Sequence, residues 1–153
     1  MNKNLIGGLF DGRGKPQPLR PSAKAKRTIT PEKHIQSDFF SWIFTHEREF
    51  HVLRWLHHVP NGGFRHKSVA VQMKREGVRA GVSDCFLPVA RKGFNGFYLE
   101  FKTETGKLSD YQKEFLEFAG REGYKIAVCR STKEAAEILI DYLDLPLSAK
   151  YLK

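Results

Sequence analysis

The chain has 153 residues, 41% hydrophobic and 12% aromatic, which suits one domain with a proper core at roughly 150 residues per domain. No run approaches the roughly 18 apolar residues of a membrane span, LIGGLF near the N-terminus is too short and glycine-rich for a signal segment, and a cytoplasmic protein is expected. The formal net charge of +9 points to a polyanionic partner, and the two cysteines, Cys85 and Cys129, lack the spacing of a zinc site or disulfide framework, so both are read as buried thiols.

The charge is uneven along the chain. Residues 1–28 hold seven basic side chains against one acid, Asp11, for +6, which leaves 9 − 6 = +3 for the other 125. With four glycines and three prolines among those cations, residues 1–29 read as a flexible basic arm. Order is expected from residue 30 to about 145, with a short C-terminal tail over 146–153. Thr30 is a fitting N-cap and Pro31 a fitting first helical residue. Ile35, Phe39, Trp42 and Ile43 then recur at helical spacing, predicting a first helix over 31–45.

A strand is expected around 55–59, leading into the turn PNGG, with 46–54 open between helix and loop. HKSVAVQMKREGV predicts a short helix stopped by Gly77. VSDCFLPV and GFYLEFK read as two strands of a hairpin joined by ARKGFN. The next helix opens on a capping box from Ser109 to Gln112 and stops at Gly123. YKIAVC is a buried strand, and a second capping box, Ser131 to Glu134, opens the last helix. A hairpin followed by a helical crossover to a further strand predicts a mixed sheet with helices packed on it, an α/β fold.

Within the hairpin lies the chemistry. Glu100 and Lys102 are two apart on one strand and so share a face. If the loop centres on Lys92, opposed residues have numbers summing to about 184, which sets Asp84 against Glu100. Like charges directly opposed destabilise a sheet. Two carboxylates so placed call for a hard divalent cation, Mg²⁺ or Mn²⁺, completed by water and phosphate oxygens. Lys102 beside such an ion could orient a water or neutralise a phosphate. On its own, an E-x-K pair is more often an exposed ion pair on a wet strand face. Its surroundings shift the balance: an opposed aspartate, a basic stretch over 60–92, and a capped helix immediately after.

Five segments in order, TPEKHIQ, VPNGG, GVRAGVSD, LEFK and GKLSDYQ, resemble the VRR-NUC family. This branch of the PD-(D/E)XK nuclease superfamily is found in phages and bacteria and in the Fanconi-associated structure-specific nuclease. The resemblance covers about residues 30–143. It implies a restriction-endonuclease-like αβββαβ core and a Mg²⁺-dependent DNA endonuclease, with Mn²⁺ able to substitute. By this resemblance Asp84, Glu100, the Phe101 carbonyl and Glu32 would hold the metal, while Lys102 and Gln112 would position the attacking water. Glu32 otherwise reads as a first-turn helix carboxylate, and Gln112 as a capping-box partner. Gln36 matches the family pattern with no role assigned. Ser83 stands where the family has proline, a backbone-shaping position that ligates nothing.

Asn61, Gly62 and Gly63 could offer free N–H groups to a phosphate, and Arg65, Lys67, Lys74 and Arg79 are candidate backbone contacts. The resemblance further implies products with a 5′-phosphate and a 3′-hydroxyl. It also implies a homodimer with a preference for branched DNA such as a Holliday junction, acting in the host cytoplasm if the protein is phage-encoded. Two rival readings fit the sequence less well. HHVPN resembles the start of an HNH motif, but Asn61 and His66 follow His58 too closely for that site, and no further histidine exists. A non-catalytic nucleic-acid-binding protein would suit the charge, yet has no use for Asp84, Glu100 and Glu32 where phosphates must approach.

Overall fold

The computed structural model describes residues 31–60 and 67–146, with only the backbone of Lys67, Ser68 and Ala70. The expected arm, Thr30, Asn61, Gly62, Gly63 and Arg65 lie outside the described residues, as does most of the expected tail. The first helix, α1, runs Glu32–His46, with Pro31 as an extended N-cap (ψ 144°) rather than the first helical residue. Its apolar positions are buried as their spacing predicts: Ile35, Phe39, Trp42 and Ile43.

The expected strand over 55–59 shrinks to β1, His57–His58, because His51–Trp55 folds as a 3-10 helix that drops Leu53 into the core. Helix α2, Lys67–Arg75, ends with Gly77 at φ +95°, as expected of a glycine stop. The hairpin strands are β2, Cys85–Leu87, and β3, Phe97–Phe101. Then come α3, Asp110–Arg121, β4, Lys125–Cys129, and α4, Thr132–Leu143. The sheet order is β1-β2-β3-β4, antiparallel except for the parallel β3–β4 pair that the α3 crossover requires. This is the mixed α/β architecture expected, with α2 inserted between β1 and β2 of the αβββαβ order.

The hairpin register matches the expected sum by a less direct route. Cys85 pairs with Leu99, Phe86 with Tyr98 and Leu87 with Phe97, all summing to 184. The turn itself sits between Lys92 and Gly93, both at positive φ, and closes on an Arg91–Phe94 bridge whose sum is 185. Three residues, 88–90, then oppose two, 95 and 96, and this bulge restores the strand register. Lys92 tolerates its left-handed backbone while its Nζ spans Asp141 at 2.9 Å and Asp144 at 3.1 Å, tying the hairpin tip to the end of α4.

The two sheet faces are built differently. Phe97, Leu99 and Phe101 point toward α1 and α4, where Phe39 packs on Phe101 and Tyr142 on Phe97 at ring-centroid distances of 5.5 and 5.1 Å. Ala135, Ala136 and Leu139 complete this apolar layer. Tyr98, Glu100 and Lys102 face the α3 side, with Tyr98 edge-on to Phe115. Cys85 and Cys129 are buried free thiols, and burial pushes both upward in pKa, Cys129 to about 12. Among the described residues no helix is long and apolar enough to cross a membrane.

Gly81 marks where the segment before β2 meets the start of α3. Its φ is +88°, and a Cβ there would overlap the Tyr111 carbonyl and stand 2.7 Å from the Tyr111 Cβ. Backbone strain and steric overlap therefore act together. Gly81→Ala is expected to lose roughly 2–4 kcal/mol of stability, measured by urea unfolding. Gly77→Ala, which is strained but meets nothing within 4 Å, should lose less. Equal losses would contradict the close approach.

Candidate active site

Four elements converge at the open end of the β2–β3 pair. Extending the register by one step places Asp84 opposite Glu100. The two strands part there, and Phe101 N–H finds no backbone partner on β2. The Asp84 Oδ2 accepts that N–H at 2.8 Å. Since N–H and C=O of one extended residue face the same edge, the Phe101 carbonyl lies on the Asp84 side as well.

Glu100 and Lys102 are only 1% and 5% exposed, which removes the reading of an ion pair on a wet strand face. Lys102 Nζ lies 2.7 Å from Glu100 Oε1, and Gln112 Nε2 donates to the same oxygen. The second oxygen of Glu100, Oε2, is buried with no hydrogen-bond partner. A carboxylate thus held by one oxygen, with its other left bare, is costly by several kcal/mol when ionised. The apolar layer beneath must offset that cost.

The titration behaviour follows from this burial. Desolvation raises the Glu100 carboxyl to about 7, against the pull of the Lys102 ammonium, and the Asp84 charge raises it further. Desolvation likewise raises Asp84, opposed chiefly by its Phe101 N–H bond and by Lys102, and reinforced by Glu32. Each carboxylate makes the other harder to ionise in the absence of a cation.

Gln112 does two things at once. The Ser109 hydroxyl accepts its backbone N–H at 3.3 Å, and its Oε1 accepts Ser109 N–H at 2.9 Å, so the expected capping box is complete. That box locks the amide so that Nε2 is left for Glu100. The second expected box, at α4, is only half formed. Ser131 Oγ accepts from Glu134 N–H, but the Glu134 carboxylate turns to Arg130 N–H at 2.7 Å.

Glu32 approaches from the first turn of α1. Its Oε1 accepts Thr103 N–H at 3.3 Å and stands 3.8 Å from Lys102 Nζ, so Lys102 lies between two carboxylates. Gln36, one turn further, reaches His58, whose Nδ1 is 2.7 Å from Gln36 Nε2 and 2.8 Å from the Asp84 carbonyl oxygen. The ring nitrogen can serve one partner at a time, as acceptor or donor, according to tautomer. His58 thereby couples α1 to the backbone of Asp84. Sequence reasoning set His58 aside with the HNH pattern; its position one strand over from Asp84 was the signal available.

The donors are all oxygen, which suits a hard cation rather than zinc or copper. Among the described residues no three His, Cys, Asp or Glu side chains gather into a ready metal cage. Two carboxylates, one with an orphaned buried oxygen, plus a backbone carbonyl fit an ion that takes its remaining ligands from water and phosphate. Lys74 and Arg79 are exposed.

A family model described as the VRR-NUC domain matches residues 30–133. A solved structure described as a VRR_NUC domain protein is similar in fold, with a TM-score of 0.64 and 24% identity, over 77% of this chain and 92% of that one. No curated protein matches.

Proposed function

The chain belongs to the VRR-NUC family of the PD-(D/E)XK nuclease superfamily, and on that premise we propose that it is a Mg²⁺-dependent endonuclease hydrolysing phosphodiester bonds in DNA. The observation that carries this reading is the asymmetry of Glu100. One oxygen is held by Lys102 and Gln112, and the other is buried and bare. A buried carboxylate oxygen with no donor is costly, and a bound cation would satisfy it.

In this proposal Asp84, Glu100 Oε2 and the Phe101 carbonyl hold the ion, with Glu32 joining directly or through a water. When bound, the ion would offset negative charge on the phosphate oxygens and make a coordinated water more acidic. The chain's own groups do the rest. Lys102 has three donors, of which Glu100 engages one, so its ammonium can meet a substrate oxygen or the attacking water. Glu32 and Glu100 hold that ammonium from either side, and the capping box keeps the Gln112 amide from rotating. Asp84 and the Phe101 N–H fix one another where the strands part, so both ligands arrive preorganised.

The excess of cations supports a DNA partner, with Lys74, Arg79 and the basic residues of the 60–67 stretch as sequence candidates for backbone contacts. A homodimer and a preference for branched DNA belong to the same proposal and rest on the family resemblance alone.

The test is a cleavage panel of junction, flap, single-stranded and plain duplex DNA, in Mg²⁺ and then in chelator. Cleavage should require the metal, and Asp84→Asn should lower it by roughly a hundredfold or more with melting unchanged within a few degrees. A wild-type protein that binds these DNAs and cuts none would leave the non-catalytic binding reading in its place.

A further inference from the structure

A second cleft opens beside the proposed centre, and none of the proposed metal-site groups lines it. It has a volume of about 430 Å³, inside the roughly 300–1,000 Å³ range of small-ligand clefts. One wall is the segment Arg79, Ala80 and Val82; the other is the outer face of α3, with Tyr111, Phe115 and Phe118. Both walls adjoin the centre along the chain. Val82 is two residues before Asp84, and Tyr111 immediately precedes Gln112. The Gly81–Tyr111 approach clamps the walls together.

The lining has an uncommon composition for a solvated helix face. Tyr111 is 67% exposed and Phe118 53%, and they stand at i and i+7 on one stripe, about 10 Å apart along the axis. Phe115 lies between them, its ring held edge-on against Tyr98 at 5.0 Å. Arg79 borders the cleft on one side and Arg121 on the other, with Glu114 as the acid among them. Exposed rings flanked by guanidinium groups are how proteins hold bases of single strands: every base has a face to stack, and the cations take the adjacent phosphates. In a duplex those faces are covered by neighbouring pairs, so only unpaired nucleotides can use such rings. Glu114 can accept from an exocyclic amine.

We propose that this cleft is a stacking subsite for one or two unpaired bases next to the phosphate being cut, with Tyr111 and Phe118 as the platforms and Arg79 and Arg121 as phosphate contacts. The subsite rests on the nuclease reading, because it takes its meaning from its continuity with Asp84 and Gln112. It would make unpaired nucleotides at the cleavage point the feature the enzyme selects.

The proposal can be tested without cleavage. A short single-stranded oligonucleotide carrying one 2-aminopurine is titrated with the protein in chelator, and the fluorescence is followed. Wild type should quench the probe. Tyr111→Ala and Phe118→Ala should each weaken binding about fivefold or more and reduce the quench, while Tyr111→Trp and Phe118→Trp retain it. Phe44→Ala, which removes another exposed ring on the opposite sheet face, should change nothing. All three side chains are mostly exposed, and unchanged melting checks the fold of each of the five variants. Quenching that survives in the Ala variants, or is absent from wild type, overturns the subsite. So does a fall from dimer to monomer in those variants with quenching unchanged, which gives the face to a second copy of the chain. Loss of quenching with no cleavage by wild type in Mg²⁺ would keep the subsite and overturn the nuclease reading instead.

Discussion

Glu100→Gln is expected to make the metal-free protein more stable while abolishing cleavage. The substitution keeps the size and the acceptor oxygen that Lys102 and Gln112 hold and removes a charge from a site where its second oxygen has no partner, while Glu32, 3.8 Å from Lys102 Nζ, remains to balance the ammonium. At pH 8 in chelator the gain should be on the order of 1–3 kcal/mol, read as a higher urea midpoint with an unchanged slope. Activity in Mg²⁺ should fall at least a thousandfold, since a neutral amide is a poor ligand for a hard cation.

Lys102→Ala should act in the opposite direction on stability. It strips the ionised Glu100 of its closest cation and should lose about 3–5 kcal/mol at pH 8. At pH 5.5 the loss should be smaller, because the abandoned carboxyl can take up a proton instead. Adding Glu100→Gln to Lys102→Ala should recover much of the deficit, and the double-mutant cycle isolates the pair. If Glu100→Gln destabilised the protein as much as Lys102→Ala, the pair would be an ordinary structural salt bridge and the metal reading would lose its main support.

The pH dependence of the same centre has a definite sign. The folded protein holds a proton on Glu100 up to about pH 7, whereas the unfolded chain releases it near the ordinary value of 4.5. The stabilisation this proton contributes is therefore complete below about pH 4.5 and disappears as the pH rises through 7. Asp84, also raised, adds in the same direction. Without metal, the stability advantage of Glu100→Gln over wild type should accordingly be near zero at pH 4.5 and grow steadily to about pH 7.5. Magnesium competes for the ionised form, so its stabilisation of wild type should grow across the same window, with protons released on binding. Calorimetric titrations near pH 6 in two buffers of different ionisation enthalpy would show that release. A binding heat independent of buffer, or a variant advantage that is flat with pH, would remove Glu100 from the metal shell.

Much of this centre was legible before any tertiary structure. The period of the apolar residues placed α1, and the Ser109–Gln112 spacing announced the box that fixes the Gln112 amide. These are local signals, governed by neighbours within one turn or one strand. The hairpin register was legible too, but through a compensation: the turn lies half a residue from its expected centre, and the bulge over 88–90 takes up the difference. The strand expected at 55–59 is shorter than expected, His57–His58, because apolar alternation in a short segment cannot separate a strand from a 3-10 turn whose one buried residue, Leu53, seeks the core.

By itself, then, the sequence determined the order of the elements, the pairing of Asp84 with Glu100 and the company of Lys102, because strand alternation and turn chemistry act over a few residues. Only the tertiary structure decided that Glu100 and Lys102 are buried. That burial comes from α3 closing over one face of β3, from α1 bringing Glu32 across 71 positions to Thr103, and from β1 setting His58 against Asp84. An E-x-K on a strand has the same local preferences whether wet or dry. Desolvation by remote elements is what raises these carboxyls and leaves one oxygen bare, and no local pattern encodes it.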